Sequence, residues 1–325
     1  MIAFGPVPSR RLGRSLGINN IPPKTCTYSC VYCQLGRTPT MQIERLSCYS
    51  TDKVSRDVTD KIEKAKEAAE PIDYLAFVSD GEPSLDVNLG DEISLLKPLG
   101  IKIAVVTNAS LLWRPEVRED LEGADWVSLK VDSTEERVWR RINRPHKALN
   151  LDEILGGLER FVKGYEGKLV TETMLVAGIN DSERHLQSVA DFLGRLEPST
   201  AYISIPTRPP AEKWVQPPTG SCVSSAYQIF SEEIAHVECL IGYEGNAFAF
   251  TGDVRSDLLD ITSVHPMRED AVKYFLKCAD ADWFVVQRLI EEEQLDESEH
   301  LGKRFYTRHV AECQHSRKSN WVSTT

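Results

Sequence analysis

The octapeptide CTYSCVYC at residues 26–33 sets three cysteines at offsets of four and three, with a tyrosine directly before the last. No further cysteine or histidine falls within the next dozen residues. Three thiolates this close wrap one face of a compact metal centre. A structural zinc ion wants a fourth ligand, usually from two separated cysteine pairs, and this stretch does not supply it. A cubane of four irons and four sulfides also takes four ligands; when the protein gives three, the remaining iron can hold a small-molecule chelate. Such an iron is a reactive site.

The surroundings of the octapeptide are basic. Residues 1–43 contain Arg10, Arg11, Arg14, Lys24 and Arg37 and no Asp or Glu, whereas the whole chain of 325 residues carries a formal charge of −11. The total disfavours non-specific binding to nucleic acid or an anionic membrane. The local collar reads either as solvated surface or as a docking face for an anionic substrate or an acidic electron carrier. No signal-peptide pattern stands near Met1 and no apolar run reaches the roughly 20 residues that span a bilayer, so the expectation is a cytoplasmic protein. In a reducing compartment clustered cysteines bind metal or do redox chemistry rather than form disulfides. Of the other cysteines, Cys239 and Cys278 read as packing residues, and Cys48 and Cys222 stay open as further ligands.

Downstream, six apolar or β-branched runs (residues 15–21, 73–79, 101–107, 125–131, 168–176 and 201–206) alternate with segments of helical period. Thr51, Thr134, Asn150 and Asp181 are the expected N-caps. Strand and helix in alternation mean βαβ units with a parallel sheet. Six units, rather than eight, predict an α/β fold built as a partial (β/α)6 TIM-type barrel with an open side. The domain reading is a barrel over residues 1–210, then over 211–262 a proline-rich linker, a helix (224–236) and a hairpin turning at Glu244, Gly245 and Asn246 that cover it. A small winged-helix-like module at 263–310 and a disordered tail at 311–325 complete it. The module, with 7 basic and 10 acidic side chains over residues 265–310, lacks the footprint of a specific DNA reader.

The C-x-x-x-C-x-x-C spacing followed by β/α repeats, with Tyr32 before Cys33, resembles the radical S-adenosylmethionine (SAM) superfamily. The resemblance implies that Cys26, Cys30 and Cys33 bind a 4Fe-4S cluster whose fourth iron chelates SAM, and that Tyr32 lies near the adenine. It implies reductive cleavage of SAM to methionine and a 5′-deoxyadenosyl radical that abstracts hydrogen from substrate. SDGEPSLD (79–86) is similar to the family's GGEP segment, carried onto Gly81 and Glu82, with Asp80 where the first glycine is usual. Thr107 and Asn108 end the third run. Ser128, Lys130 and Asp132 alternate with Leu129 and Val131, so polar groups face one side of a strand that should be buried. Mutual ion pairing explains them without a ligand; the resemblance puts Lys130 and Asp132 on the SAM carboxylate and ribose. Glu172 and the apolar Ile179 match the fifth-strand segment in part.

GPVPSRRLGRSLGINNIPPKTC (5–26), the DGEP turn, INRPH (142–146) and SVHPMREDAV (263–272) resemble the iron–sulfur oxidoreductases grouped with the archaeal wyosine tRNA-modification enzymes. No cysteine precedes Cys26, so a second cluster of the wyosine-synthase kind is not expected. The leading functional expectation is a radical SAM enzyme acting on a tRNA base, reduced by a partner such as flavodoxin or ferredoxin. The alternatives are a radical SAM enzyme for a small anionic metabolite or a peptide, and a non-enzymatic iron–sulfur sensor with a partner-binding module.

Overall fold

The computed structural model describes residues 2–309 apart from Thr40, Tyr243, Glu244 and Ala247. Its centre is an eight-stranded sheet in which every strand lies beside its neighbours in the chain. β1 (Ala3–Ser9) and β2 (Gly13–Ile18) form an antiparallel hairpin. From β2 onward all pairings are parallel, through β3 (Tyr74–Phe77), β4 (Lys102–Thr107), β5 (Trp126–Lys130), β6 (Lys168–Met174), β7 (Thr200–Ser204) and β8 (Val237–Leu240). The sheet begins at β1 and ends at β8 without pairing those edges, an open α/β barrel.

Strand periodicity sorts the side chains into two layers. Leu75, Phe77, Ile103, Val105, Val127, Leu129, Ala201 and Ile203 belong to the core beneath the helices, while Ala76, Ala104, Trp126, Val170 and Tyr202 form a separate cluster on the other face. Successive side chains of a strand point to opposite faces, so Lys130, Glu172 and Ser204 share the second, concave face. The crossover helices are α1 (Thr51–Glu67), α2 (Leu89–Leu96), α3 (Pro115–Glu122), α4 (Glu136–Ile142), α5 (Leu151–Val162), α6 (Glu183–Leu196) and α7 (Gly220–Glu233). Asn150 caps α5 as expected, accepting from the Glu153 N–H. Elsewhere the expected cap is one residue off: Ser50 accepts from the Lys53 N–H at α1, and Ser182 and Glu135 precede α6 and α4.

Six strands were expected and eight form. β1 escapes the pattern because Gly5, Pro6 and Pro8 interrupt its apolar run, yet it pairs along β2. β8 was read as half of a hairpin; Val237–Leu240 instead pairs in parallel with β7, and Phe248–Phe250 is not in a strand. Of the expected turn, Glu244 lies outside the described residues. So does the tail from residue 310.

After β8 comes α8 (Val254–Val264), a helix the sequence reading did not place, which straddles the expected boundary at 262/263. β9 (Met267–Arg268), α9 (Glu269–Cys278), α10 (Phe284–Glu291), β10 (Leu295–His300) and β11 (Lys303–Arg308) follow. The last three strands make an antiparallel sheet in the order β10, β11, β9. This C-terminal unit is not a separate bead: Leu258, Ile261, Met267, Phe275 and Tyr306 share one buried cluster with Phe4 and Val7 of β1. Lys61 of α1 reaches across to Asp257 of α8 at 3.0 Å. Among the described residues no helix is long and apolar enough to cross a membrane.

Candidate cluster and cofactor site

The cysteine loop has almost no regular structure of its own, so its shape comes from what clamps it. Val31 N–H donates to Ile142 O at 2.9 Å, Ser29 N–H to Asn143 O at 3.1 Å, and His146 N–H returns to Thr27 O at 2.9 Å. INRPH therefore pairs along the loop as a makeshift strand. On the other side Glu82 N–H donates to Thr25 O and Glu212 N–H to Val31 O, both at 3.0 Å. Cys26, Cys30 and Cys33 then line one cavity of about 360 Å³ at the carboxyl ends of the barrel strands, where parallel α/β folds gather their functional groups.

The three thiols share one wall of this cavity. Among the described residues no three His, Cys, Asp or Glu side chains converge tightly enough for a single metal ion. Each sulfur faces a nitrogen: Asn108 Nδ2 and Tyr28 N lie 3.5 Å from Cys26 Sγ, Asn143 Nδ2 3.5 Å from Cys30 Sγ, and Lys24 Nζ 4.0 Å from Cys33 Sγ. Burial pushes the Cys26 and Cys30 thiols up, Cys30 to about 12. Left alone they stay protonated; a cationic centre would stabilise the thiolates that these nitrogens are placed to meet. Cys48 and Cys222 bond to the backbone carbonyls of Leu46 and Asp181 and do not line the cavity.

The turn after β3 is built around Glu82. Its carboxylate accepts from Ser84 Oγ and Thr107 Oγ1, both at 2.6 Å, and from the N–H groups of Asn108 (2.7 Å) and Ser84 (3.1 Å). Burial still pushes this carboxyl up. Asp80 is fixed by Asn19, whose Nδ2 donates to it at 2.7 Å and whose Oδ1 accepts from the Asp80 N–H. Burial raises Asp80 as well.

On the concave face Lys130 and Glu172 are register partners in β5 and β6. Glu172 accepts from Lys130 Nζ at 3.1 Å, from Ser204 Oγ at 2.9 Å and from Arg11. Burial works against its charge, but Lys130 and Arg11 hold the carboxyl well below the usual range. The alternative of a Lys130–Asp132 ion pair is not what forms: Lys130 pairs with Glu172, which also meets Arg11.

Of the residues expected at the cofactor, Tyr32, Asp80, Gly81, Glu82, Thr107, Asn108, Lys130 and Glu172 share the cavity wall with the cysteines. Asp132 and Ile179 do not. Asp132 lies one layer back, accepting from Tyr32 OH, from Asn143 Nδ2 at 2.7 Å and from the Met174 N–H at 2.8 Å. Ile179 packs with Val31, Ile142, Val176 and Val215 behind Tyr32. Both support the tyrosine from behind, because the chain turns away from the cavity past the strand ends. The sequence reading missed Asn19, Asn143, Ser204, Arg208 and His265. Ser204 was legible from alternation in its strand, and Asn143 and His265 lay inside quoted motifs whose position in space no spacing discloses.

Three of the collar arginines are engaged within the protein. Arg10 donates to Leu240 O at 2.5 Å and Gly242 O at 2.6 Å, Arg11 pairs with Glu172, and Arg14 pairs with Glu70.

Comparison with known proteins agrees with this geometry. Over 311 residues the chain is 46% identical to the UPF0026 protein MJ1312 of Methanocaldococcus jannaschii, covering 95% of this chain and 96% of that protein. In fold it is similar to TYW1 with a lysine-pyruvate adduct bound, at a TM-score of 0.52 and 16% identity over 68% of this chain and 74% of that one. It is also similar to SuiB of Streptococcus suis bound to S-adenosylmethionine, at a TM-score of 0.51 and 12% identity over 71% of this chain and 53% of that one. The model of the radical SAM superfamily matches residues 20–193. A match over more than half of the 325 residues, containing the cysteine loop and four strand ends of the cavity, shows that the chain belongs to the radical SAM superfamily.

Proposed function

We propose that this radical SAM enzyme, whose cofactors are a 4Fe-4S cluster and SAM, abstracts hydrogen from a small anionic molecule bound in the barrel cavity. Cys26, Cys30 and Cys33 hold the cluster; Gly81, Glu82, Thr107 and Asn108 shape the wall beside it, and Tyr32, braced by Asp132, stands over Lys130. The cluster and SAM supply a 5′-deoxyadenosyl radical. The protein's part is to seat the ligands, keep Glu172 ionised between two cations and exclude water from the reacting carbon.

One observation carries the substrate class: Arg10, Arg11, Lys24, Lys130 and Arg208 all line this cavity in a chain whose net charge is −11. Three acidic residues, Asp80, Glu82 and Glu172, line it as well, and Glu172 is shared by Lys130 and Arg11, so basic residues outnumber acidic ones on this wall by five to three. The C-terminal unit, read as a winged-helix-type module over residues 263–310, supplies part of that wall through Val264 and His265. In the same reading residues 1–210 are the catalytic unit, 211–262 its cover, and a flavodoxin- or ferredoxin-type protein the reductant.

The second reading, a tRNA base, is favoured by the opening segment's resemblance to the wyosine enzymes. It needs collar arginines on phosphates, and these are engaged within the protein. The test is 5′-deoxyadenosine formation by the anaerobically reconstituted enzyme with cell extract divided into small anions and RNA. Stimulation by the small anions, with deuterium from labelled substrate appearing in 5′-deoxyadenosine, is the expected result. Stimulation by RNA alone would replace it with the tRNA reading.

A further inference from the structure

The outer side of the cysteine loop carries a charged cluster of its own. Glu212 N–H donates to Val31 O, between Cys30 and Cys33, at 3.0 Å. The Glu212 carboxylate, with its side chain 7% exposed, accepts from Arg37 Nε at 2.8 Å, from Arg37 NH2 at 3.0 Å and from Arg144 NH1. Arg37 leaves the turn after Cys33, where Gly36 N–H donates to Cys33 O at 3.2 Å and Gly36 takes a φ of +79°, a conformation that favours glycine. Arg144 belongs to INRPH, the segment that pairs along the loop. Lys213 and Trp214 follow Glu212 in the chain, and both are exposed, Trp214 at 51%. None of these five residues lines the cavity.

A structural clamp accounts for Glu212 and its two arginines, which tie three segments together, but not for an exposed tryptophan and lysine beside them. One carboxylate does not neutralise three cations, so this face is positive in a chain whose net charge is −11. Arg37 is also the collar arginine that stays at the surface, its side chain 70% exposed against 18% for Arg11 and 23% for Arg14. Tryptophan and arginine dominate the hot spots of protein interfaces, and an excess of positive charge steers an acidic partner to the face that carries it. Electron transfer weakens steeply with distance, so a carrier must dock on the protein that covers the cluster. The inner side of the loop faces the cavity that takes SAM and substrate, which leaves the outer side for the carrier.

We propose that Arg37, Arg144, Lys213 and Trp214 form the docking face for an acidic one-electron carrier protein that reduces the cluster through the cysteine loop. The inference rests on the reading of a flavodoxin- or ferredoxin-type reductant above and names where that protein binds. With a flavodoxin the step is the loss of one electron from an anionic flavin hydroquinone, leaving a neutral semiquinone, and its gain by the oxidised 4Fe-4S cluster. No proton moves and no bond forms or breaks.

The test is anaerobic stopped-flow reduction of the cluster-loaded full chain by a flavodoxin hydroquinone and by a reduced ferredoxin, read as bleaching of the cluster's visible absorbance. Dithionite serves as a small reductant that needs no docking face. No substrate is added, so the outcome is independent of the small-anion reading. Lys213→Glu combined with Trp214→Ala leaves the three side chains of the Glu212 clamp in place, and Arg37→Gln leaves Glu212 paired with Arg144. The expected result is a reduction rate by one carrier that falls with salt and falls roughly tenfold or more in the double variant, with a smaller fall in Arg37→Gln. Calorimetry should show the same order in carrier binding. Iron content and the dithionite rate should match wild type, which excludes misfolding. Lys102→Glu, at the exposed start of β4 and so at the opposite end of the barrel, should change neither rate. Equal carrier rates in wild type and the double variant overturn the docking face and leave the carrier reading standing. Reduction of the wild type by dithionite alone overturns both. Loss of RNA binding in the double variant with carrier rates unchanged would give the face to RNA instead.

Discussion

Gly81 shows how tightly single residues are constrained around the cysteine loop. A Cβ there would meet Thr25 O at 1.9 Å and Ile21 Cδ1 at 2.7 Å, and Thr25 adjoins Cys26. Gly81→Ala should cost roughly 1–3 kcal/mol through displaced backbone and reduce iron retention, measured by thermal denaturation and iron assay together. Asn143 acts differently, since its amide meets Cys30 Sγ and Asp132 without filling space another residue needs. Hydrogen bonds to cluster sulfurs favour the reduced, more negative state. Asn143→Ala should therefore retain the cluster but shift its potential to more negative values in anaerobic redox titration; an unchanged potential would remove Asn143 from the site. Neither residue has a signature a reader of sequence could weigh, because each matters through an atom contributed from elsewhere in the chain.

Helix α2 carries a buried liability. Glu92 is 1% exposed, and among the described residues neither of its carboxylate oxygens meets a hydrogen-bond partner in good geometry, although the side chain of Asn20 is near enough to favour its charge. Burial and then the charge of nearby Asp86 push it up to about 8 from an ordinary 4.5. The folded protein thus holds a proton that the unfolded chain releases near pH 4.5. Stability from this group is full below that pH and falls as pH rises to about 8, by a few kcal/mol at roughly 1.4 per pKa unit. Glu92→Gln should match wild type at pH 4 and melt at higher temperature at pH 8.5; equal melting at both would show that the carboxyl is solvated. Strands β5 and β6 show the opposite case. Lys130 and Glu172 face each other in register, and Arg11 meets the same carboxylate, so removing Glu172 strands two cations whereas removing Lys130 leaves Glu172 paired with Arg11. Glu172→Gln should therefore destabilise by roughly 3–5 kcal/mol, more than Lys130→Met, in chemical denaturation.

Across the whole molecule, barrel and C-terminal unit share a core rather than a linker. Phe4 and Val7 of β1 pack among residues of α8, α9 and β11, and Lys61 meets Asp257 with side chains 12% and 4% exposed. Calorimetry should accordingly show one transition, and Phe4→Ala should lower it through a loss of roughly 3–5 kcal/mol. Two separate transitions would mean that the interface is weaker than its burial implies. The same integration bears on RNA. With Arg10 on carbonyls and Arg11 and Arg14 on carboxylates, few free cations remain there to displace counterions. RNA binding, measured against salt, should be weak and change little in the triple Ala variant.

Much of this was written in local pattern. The cysteine spacing announced the chemistry, and alternating runs announced a parallel sheet, because those features depend on neighbours within a few residues. β1 and β8 did not announce themselves: one is broken by glycine and proline, and the other is short and polar enough to pass for a hairpin arm. Both become strands because an adjacent edge offers unpaired backbone groups. Lys130 and Glu172 were legible as inward polar residues, but their pairing depended on the register between β5 and β6. Asp132 and Ile179 were expected in the cavity and stand behind it, since the turn of the chain past a strand end is decided by packing. The meeting of Gln34, Arg208 and His265 required the C-terminal unit to dock on β1, an outcome of buried apolar area that no local spacing encodes.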